Sequence, residues 1–186
     1  MSWSSGLVRM FVVVGLAGLT SGCFAPMYGD SKVVQGSAGL DDKMAAVQVA
    51  PISNAYAPNG SRLARVGVDL RNELMFGLTG GGPTRVPNYK LEIALNSTQL
   101  QVVVDVNTAR PDVEDYGLNA TYTLTDLTTG KTVVTGRAFS RVSYNIPGQE
   151  QRYAGARGLV DAENRAAKVL AEAIQSRLAS YFVAGS

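Results

Sequence analysis

An α+β fold, with two helices packed on one face of a roughly four-stranded antiparallel or mixed sheet, follows from three features of the 186-residue sequence. Two long segments carry apolar residues every three or four positions, the period of a helix with one buried face. Several shorter segments alternate apolar and polar residues, the period of a half-buried strand. Turn residues punctuate them in the order strand, helix, three strands, helix, and the economical packing of that order is a two-layer α/β sandwich.

The first strand covers Ala45 to Ile52, a short Val-rich run with Pro51 marking its end or an edge. The first helix covers Ser61 to Leu78 and places Leu63, Val66, Leu70, Leu74 and Leu78 on one stripe. Asn59-Gly60-Ser61 supplies its start, and Gly80-Gly81-Gly82-Pro83 its stop. Tyr89, Leu91, Ile93 and Leu95 alternate with polar residues, and Leu100 to Val106 continues that strand past a bend. Leu118, Ala120, Tyr122 and Leu124 alternate with Asn119, Thr121, Thr123 and Thr125, and a turn at Asp126 to Lys131 leads into a β-rich run over Thr132 to Tyr144. This is the clearest hairpin in the chain. An Ala-rich helix over Glu150 to Tyr181 ends the chain, its stripe being Leu159, Ala162, Ala166, Leu170, Ala173, Ile174, Leu178 and Tyr181.

Three regions are expected: a lipoprotein signal peptide over residues 1–22, an acylated N-terminus and tether over 23–43, and the α/β domain over 44–186. Arg9 is followed by an uncharged apolar run, Met10 to Leu19, and then by Thr20-Ser21-Gly22-Cys23. A basic start, a short apolar core and small residues at a cut describe a secretory signal. The run is shorter than the ~20 residues that a membrane-spanning helix needs. The only cysteine stands directly after the small residues, which resembles the acylation site of a bacterial lipoprotein. Cys23 is therefore the expected lipidation site, with a stable anchor coming from two or more acyl chains. In similar lipoproteins an aspartate after the cysteine favours the inner membrane; Phe24 stands here and points to the outer one.

Composition removes most enzyme chemistry. The sequence has no histidine, which excludes His-based triads, His–metal sites and imidazole shuttles. One cysteine allows no internal disulfide and no Cys-rich metal site. A net charge of +2 lacks the concentrated basic field of a nucleic-acid binder. Gly130-Lys131-Thr132 resembles the end of a phosphate-binding loop, but Thr125 stands where the motif needs glycine, so a hairpin turn is expected. The triple glycine at 80–82 precedes Pro83 and a strand, and reads as a helix-ending loop. Asp105, Asp112, Glu114 and Asp115 lack the spacing of a calcium loop and read as a solvated loop. No catalytic residue, metal site or cofactor is expected.

One chemical theme remains. Lys131 sits at the hairpin turn, Arg137 and Arg141 share a face of the following strand, and Arg110 is placed in the preceding loop. Together they form a candidate contact for lipid-headgroup phosphates. An ordinary solvated strand face explains the same residues and is commoner.

The pieces in order resemble the lipopolysaccharide-assembly lipoprotein LptE family in its alphaproteobacterial form. Phe24-Ala-Pro26-Met-Tyr28-Gly29 is similar to a segment that follows the family's acylation site. Val47 to Ile52 is similar to its first strand, Leu70 to Leu74 to its first helix, and Tyr89 to Leu91 to the next strand. The hairpin Ala120 to Leu127 with Thr129-Gly130-Lys131 is the strongest match, joined by Ser143 to Asn145 and Arg177 to Phe182. The residues from Ala55 to Gly60 extend the family pattern. The resemblance implies a non-enzymatic outer-membrane lipoprotein that faces the periplasm. Such a protein plugs the LptD β-barrel, helps it assemble and aids lipopolysaccharide transport to the outer leaflet. Its implied partners are an LptD-like barrel, lipopolysaccharide and the membrane, with no nucleic acid. An auxiliary lipoprotein of another envelope ABC-type transport system is the alternative; a lipid-anchored hydrolase and a purely structural lipoprotein are more distant ones.

Overall fold

The structure, a computed structural model, describes residues 39–52, 61–83, 85–105, 110–146 and 152–185, with side chains for all of these except 103–105, 110–112, 152 and 185. The chain divides into two units, Met1–Ser37 and Ala38–Ser186, and the described residues all belong to the second. The signal peptide, Cys23, most of the tether and the Ala55–Gly60 extension lie outside the described residues.

Among the described residues seven elements follow one another: α1 (Leu40–Ala45), β1 (Val47–Val49), α2 (Arg62–Thr79), β2 (Tyr89–Asp105), β3 (Arg110–Asp126), β4 (Thr132–Asn145) and α3 (Arg152–Gly185). The strands form one mixed sheet in the order β1-β2-β3-β4. β1 runs parallel to β2, with α2 as the crossover, and the other pairs are antiparallel. This is the expected α+β sandwich with its helices on one face.

Local chemistry accounts for the element ends. The Ser61 hydroxyl accepts a hydrogen bond from the Ala64 amide and caps the start of α2. Gly80, at φ 61°, ends the helix in the left-handed conformation that glycine adopts without strain. The triple glycine is thus a helix stop. In the β3–β4 turn, the Asp126 carboxylate accepts from the Thr128 and Thr129 amides, at 2.7 and 3.1 Å. Those two amides hold the Asp126 carboxyl below its ordinary value. Gly130-Lys131 belongs to this turn and not to a phosphate cradle.

The core lies between the helices and the inner sheet face. Leu91, Ile93 and Leu95 of β2 and Leu118, Ala120, Tyr122 and Leu124 of β3 are buried, and the residues between them face outward. All of the expected α2 stripe from Val66 to Leu78 is buried, with Leu63 partly so. The α3 stripe is broader than its apolar period suggests. Ala167, Ala171, Ala179 and Phe182 are buried, whereas Ala173 and Tyr181 are only half-buried. Alanines let two helices and a sheet approach closely, so small residues widen the buried face beyond the leucine rows. Gly136 of β4 does the same within the sheet, because a Cβ there would lie 2.4 Å from the Tyr122 hydroxyl.

Three expectations need correction. Residues 40–43, read as the end of the tether, are helical, and Asp41 and Asp42 in the first turn of α1 complement its dipole. The first strand spans only Val47–Val49 instead of most of Ala45 to Ile52. The acidic stretch from Asp112 to Asp115, read as a solvated loop, is part of β3, and so is Arg110, which pairs with Asp105 of β2. Neighbouring carboxylates disguise a strand whose polar residues find partners. The Glu114 carboxylate accepts from the Tyr144 hydroxyl at 2.6 Å, and Asp115 accepts from the Ser143 hydroxyl at 2.6 Å.

Candidate functional site

Among the described residues no helix crosses the outer face of the sheet. It is lined by Glu92, Ala94, Asn96 and Thr98 of β2, by Asn119, Thr121 and Thr123 of β3, and by Thr135, Arg137, Phe139 and Arg141 of β4. In its middle Ala94, Asn96, Asn119, Thr121, Arg137 and Phe139 line a shallow depression of about 500 Å³. The register explains it. Ala94 stands beside Thr121 and Arg137 in one row, and Asn96 beside Asn119 and Phe139 in the next, so short side chains on β2 and β3 lie alongside taller ones on β4. Phe139 is 76% exposed.

The sequence placed four cations together; the structure brings two of them together. Arg137 and Arg141 stand on this face four residues apart, ~14 Å along the strand. Arg137 has no ion pair among the described residues, whereas Arg141 approaches Asp115 at 3.9 Å. Lys131 lies at the exposed hairpin turn. Arg110 stands at the opposite end of β3, 16 residues or ~54 Å of strand from Asp126, and its side chain is not among those described. One basic cluster of four is therefore excluded by topology. The pair Arg137–Arg141 beside Phe139 is the candidate site.

A second polar centre lies on the helix side, and sequence reasoning missed it. The Glu163 side chain of α3 is only 2% exposed and is paired with Arg65 of α2, which is 40% exposed. Burial pushes the Glu163 carboxyl up, against the pull of Arg65 and Arg62. Burial and the Glu163 charge also raise the phenol of Tyr116. The Tyr144 hydroxyl donates to Glu114 and accepts from the Gln99 amide at 3.4 Å; burial first, and the Glu114 carboxylate second, push it up to about 12. The legible signal was Glu163 in the row Leu159, Glu163, Ala167, Ala171, at four-residue spacing inside an alanine-rich face.

These groups pair with one another, Arg65 with Glu163 and Tyr144 with Glu114. The open face offers two guanidinium groups, that of Arg141 beside Asp115, two carboxamides, threonine hydroxyls and one aromatic ring, with the Glu92 carboxylate paired to Lys90 toward one end. That set suits binding to an anionic, hydroxyl-rich surface.

The family model for LptE, lipopolysaccharide-assembly, matches residues 44–178, well over half of the chain. The chain belongs to the LptE lipopolysaccharide-assembly family. The LptE match begins at Met44 in α1 and ends at Leu178 in α3, so it takes in the whole sheet, all of α2 and α3 as far as Leu178. Solved structures share the fold. A lipoprotein from Caulobacter crescentus superposes with a TM-score of 0.62 at 22% identity, covering 80% of this chain and 98% of its own. Rare lipoprotein B from Shewanella oneidensis superposes with a TM-score of 0.50 at 12% identity, covering 74% and 96%. A search of curated proteins found no significant match.

Proposed function

We propose that this LptE-family chain is a non-enzymatic outer-membrane lipoprotein, anchored through acylated Cys23 with its domain toward the periplasm. It plugs an LptD-type β-barrel, helps that barrel assemble and aids lipopolysaccharide delivery to the outer leaflet. The domains implied are a signal peptide over 1–22, an acylated tether over 23–43 and the α/β domain over 44–186. Family membership over residues 44–178 is the observation that carries the reading. The open sheet face supports it, because large barrels have polar interiors and this face presents Asn96, Asn119, Thr121 and Thr123 to its surroundings. Arg137 and Arg141 are the groups best placed to meet lipopolysaccharide phosphates, with Lys131 and Arg110 as separate outlying contacts.

The test is an affinity pull-down of C-terminally tagged protein from detergent-solubilised outer membranes, followed by mass spectrometry. One large β-barrel in near-equal amount is the expected result. Recovery of an inner-membrane transporter instead would overturn the reading in favour of an auxiliary lipoprotein of another transport system. Cys23→Ser is expected to release the protein from the membrane fraction. Its normal retention there would remove the acyl anchor from the proposal.

A further inference from the structure

The two edges of the sheet are built differently. On one side, β1 is three residues long, and Arg71 donates from Nε to the Val49 carbonyl at 3.2 Å, capping its outward edge. Past Leu91, β2 has no β1 neighbour, so Glu92 to Leu100 is a second open stretch, one that carries Glu92 and no arginine, and beyond it the pairing with β3 is interrupted by register shifts between Gln101 and Val104. Shortness, a capping arginine and bulges are the devices by which proteins keep sheet edges from recruiting other strands. On the other side β4 runs for 14 residues and has no neighbour beyond it among the described residues. It contains no Pro and no Lys, and its helix-facing residues, Val134, Gly136, Ala138, Ser140, Val142 and Tyr144, bear no charge. Its only register shift lies at the turn, by Thr125.

We infer that the outer edge of β4 takes an added strand from another protein, one with carboxylates four residues apart on the face shared with Arg137 and Arg141. Residues directly opposite in a sheet share a face, so such a strand sets its two carboxylates beside the two guanidinium groups. The residue between the carboxylates lies beside Phe139 and covers a ring now mostly exposed. Main-chain hydrogen bonds supply affinity in this mode, and the alternate side chains supply selectivity. A second copy of this chain is the poorer occupant, because its β4 has no carboxylate to set beside the two arginines. Two-fold antiparallel registers centred on Arg137, Phe139 or Arg141 place arginine opposite arginine, which destabilises a strand pair, and those centred on Ala138 or Ser140 leave both arginines beside uncharged residues.

The probe is the nine-residue peptide TVETVTEVT, whose glutamates and central valine fall on one face, titrated into the purified full chain by fluorescence anisotropy. It is expected to bind about tenfold more tightly than TVKTVTKVT, the effect of two partly exposed charge pairs. Arg137→Ser with Arg141→Ser should remove that preference while circular dichroism stays unchanged. Backbone N-methylation of alternate residues, made in both phases, should abolish binding in one phase and spare it in the other. Equal binding of both methylated peptides would mean that charge alone holds the peptide, and would overturn strand addition. Failure of the acidic peptide to outcompete the basic one, or self-association of the free chain that is lost when β4 is altered, would overturn the assigned occupant. None of these outcomes depends on the identity of the barrel partner.

Discussion

The Arg65–Glu163 pair makes a prediction in which the two partners are not equivalent. Glu163 is enclosed between α3 and the sheet, whereas water reaches Arg65, whose side chain is 40% exposed. Arg65→Met leaves the buried carboxylate without its ion-pair partner and with only the weaker pull of Arg62. Breaking a fully buried pair costs ~3–5 kcal/mol. Because water already reaches one partner, a loss of ~2–3 kcal/mol at pH 7 is expected, a fall of roughly 5–10 °C in Tm for a domain of this size. Glu163→Gln keeps the shape, removes the charge that burial disfavours, and leaves an arginine that can be solvated. It should cost less than about 1 kcal/mol.

The pH dependence separates this reasoning from a generic packing defect. The Glu163 carboxyl is raised in the folded state, so its proton is held more tightly there than in the unfolded chain. Its contribution to stability is therefore greatest below the ordinary carboxylate value and declines as pH rises through the window up to the raised value. Arg65→Met raises the carboxyl further, so its cost should shrink as pH falls from 7 toward 5. Glu163→Gln should abolish that dependence. Urea melts followed by circular dichroism at the two pH values measure both effects. Equal costs for the two variants, or an Arg65→Met cost indifferent to pH, would refute the assignment of Glu163 as a buried charge held by Arg65.

Other regions carry their own tests. Gly136→Ala forces a Cβ against the Tyr122 hydroxyl, and since Tyr122 is 2% exposed the ring has little room to yield; a loss of ~1–3 kcal/mol in urea melts is expected. Asp126→Ala removes the acceptor of the Thr128 and Thr129 amides, which should then exchange faster in hydrogen-exchange NMR while core amides keep their protection. In the unaltered protein the same loosening should appear only when pH falls through the lowered value of the Asp126 carboxyl, because a depressed carboxylate stabilises above its titration and not below it. The Tyr144 phenol should titrate near 12 by ultraviolet absorbance, and Glu114→Gln should bring it down, though burial will keep it above the ordinary phenol value.

The sequence disclosed elements whose periodicity is carried by large apolar residues. Leu70, Leu74 and Leu78 mark α2, and Leu91, Ile93 and Leu95 mark β2 at helical and strand spacing, and all are buried as expected. It concealed elements whose logic is polar or small. The start of β3 reads as a loop because Asp112, Glu114 and Asp115 crowd it, yet Glu114 and Asp115 are strand residues paired across to Tyr144 and Ser143 of β4. Alanines register weakly in an apolar pattern, so the width of the buried α3 face was hidden, and Glu163 with it. For the site, two-residue alternation correctly put Arg137 and Arg141 on one face. Lys131 stands at the hairpin turn as read, whereas Arg110, read as a loop residue, belongs to β3, and distance along a strand depends on where the strand begins. With β3 extended back to Arg110, those two cations stand at opposite ends of it.

The same register explains why one sheet can serve two purposes. Strand alternation sends Leu91, Ile93, Leu95, Tyr116, Leu118, Tyr122 and Leu124 toward the helices, where burial supplies stability, and the intervening residues outward, where nothing in the fold requires them. Outward positions with no structural duty would tolerate the long charged side chains that keep protein surfaces soluble. β3 instead presents Asn119, Thr121 and Thr123 there, and β4 adds an exposed phenylalanine between two arginines. Short polar residues in three adjacent rows leave room for another surface to approach, and the arginines select the sign of its charge. The face and the adjoining edge of β4 therefore form one continuous recognition surface, and substitutions confined to it should change binding while leaving the urea midpoint of the fold where it is.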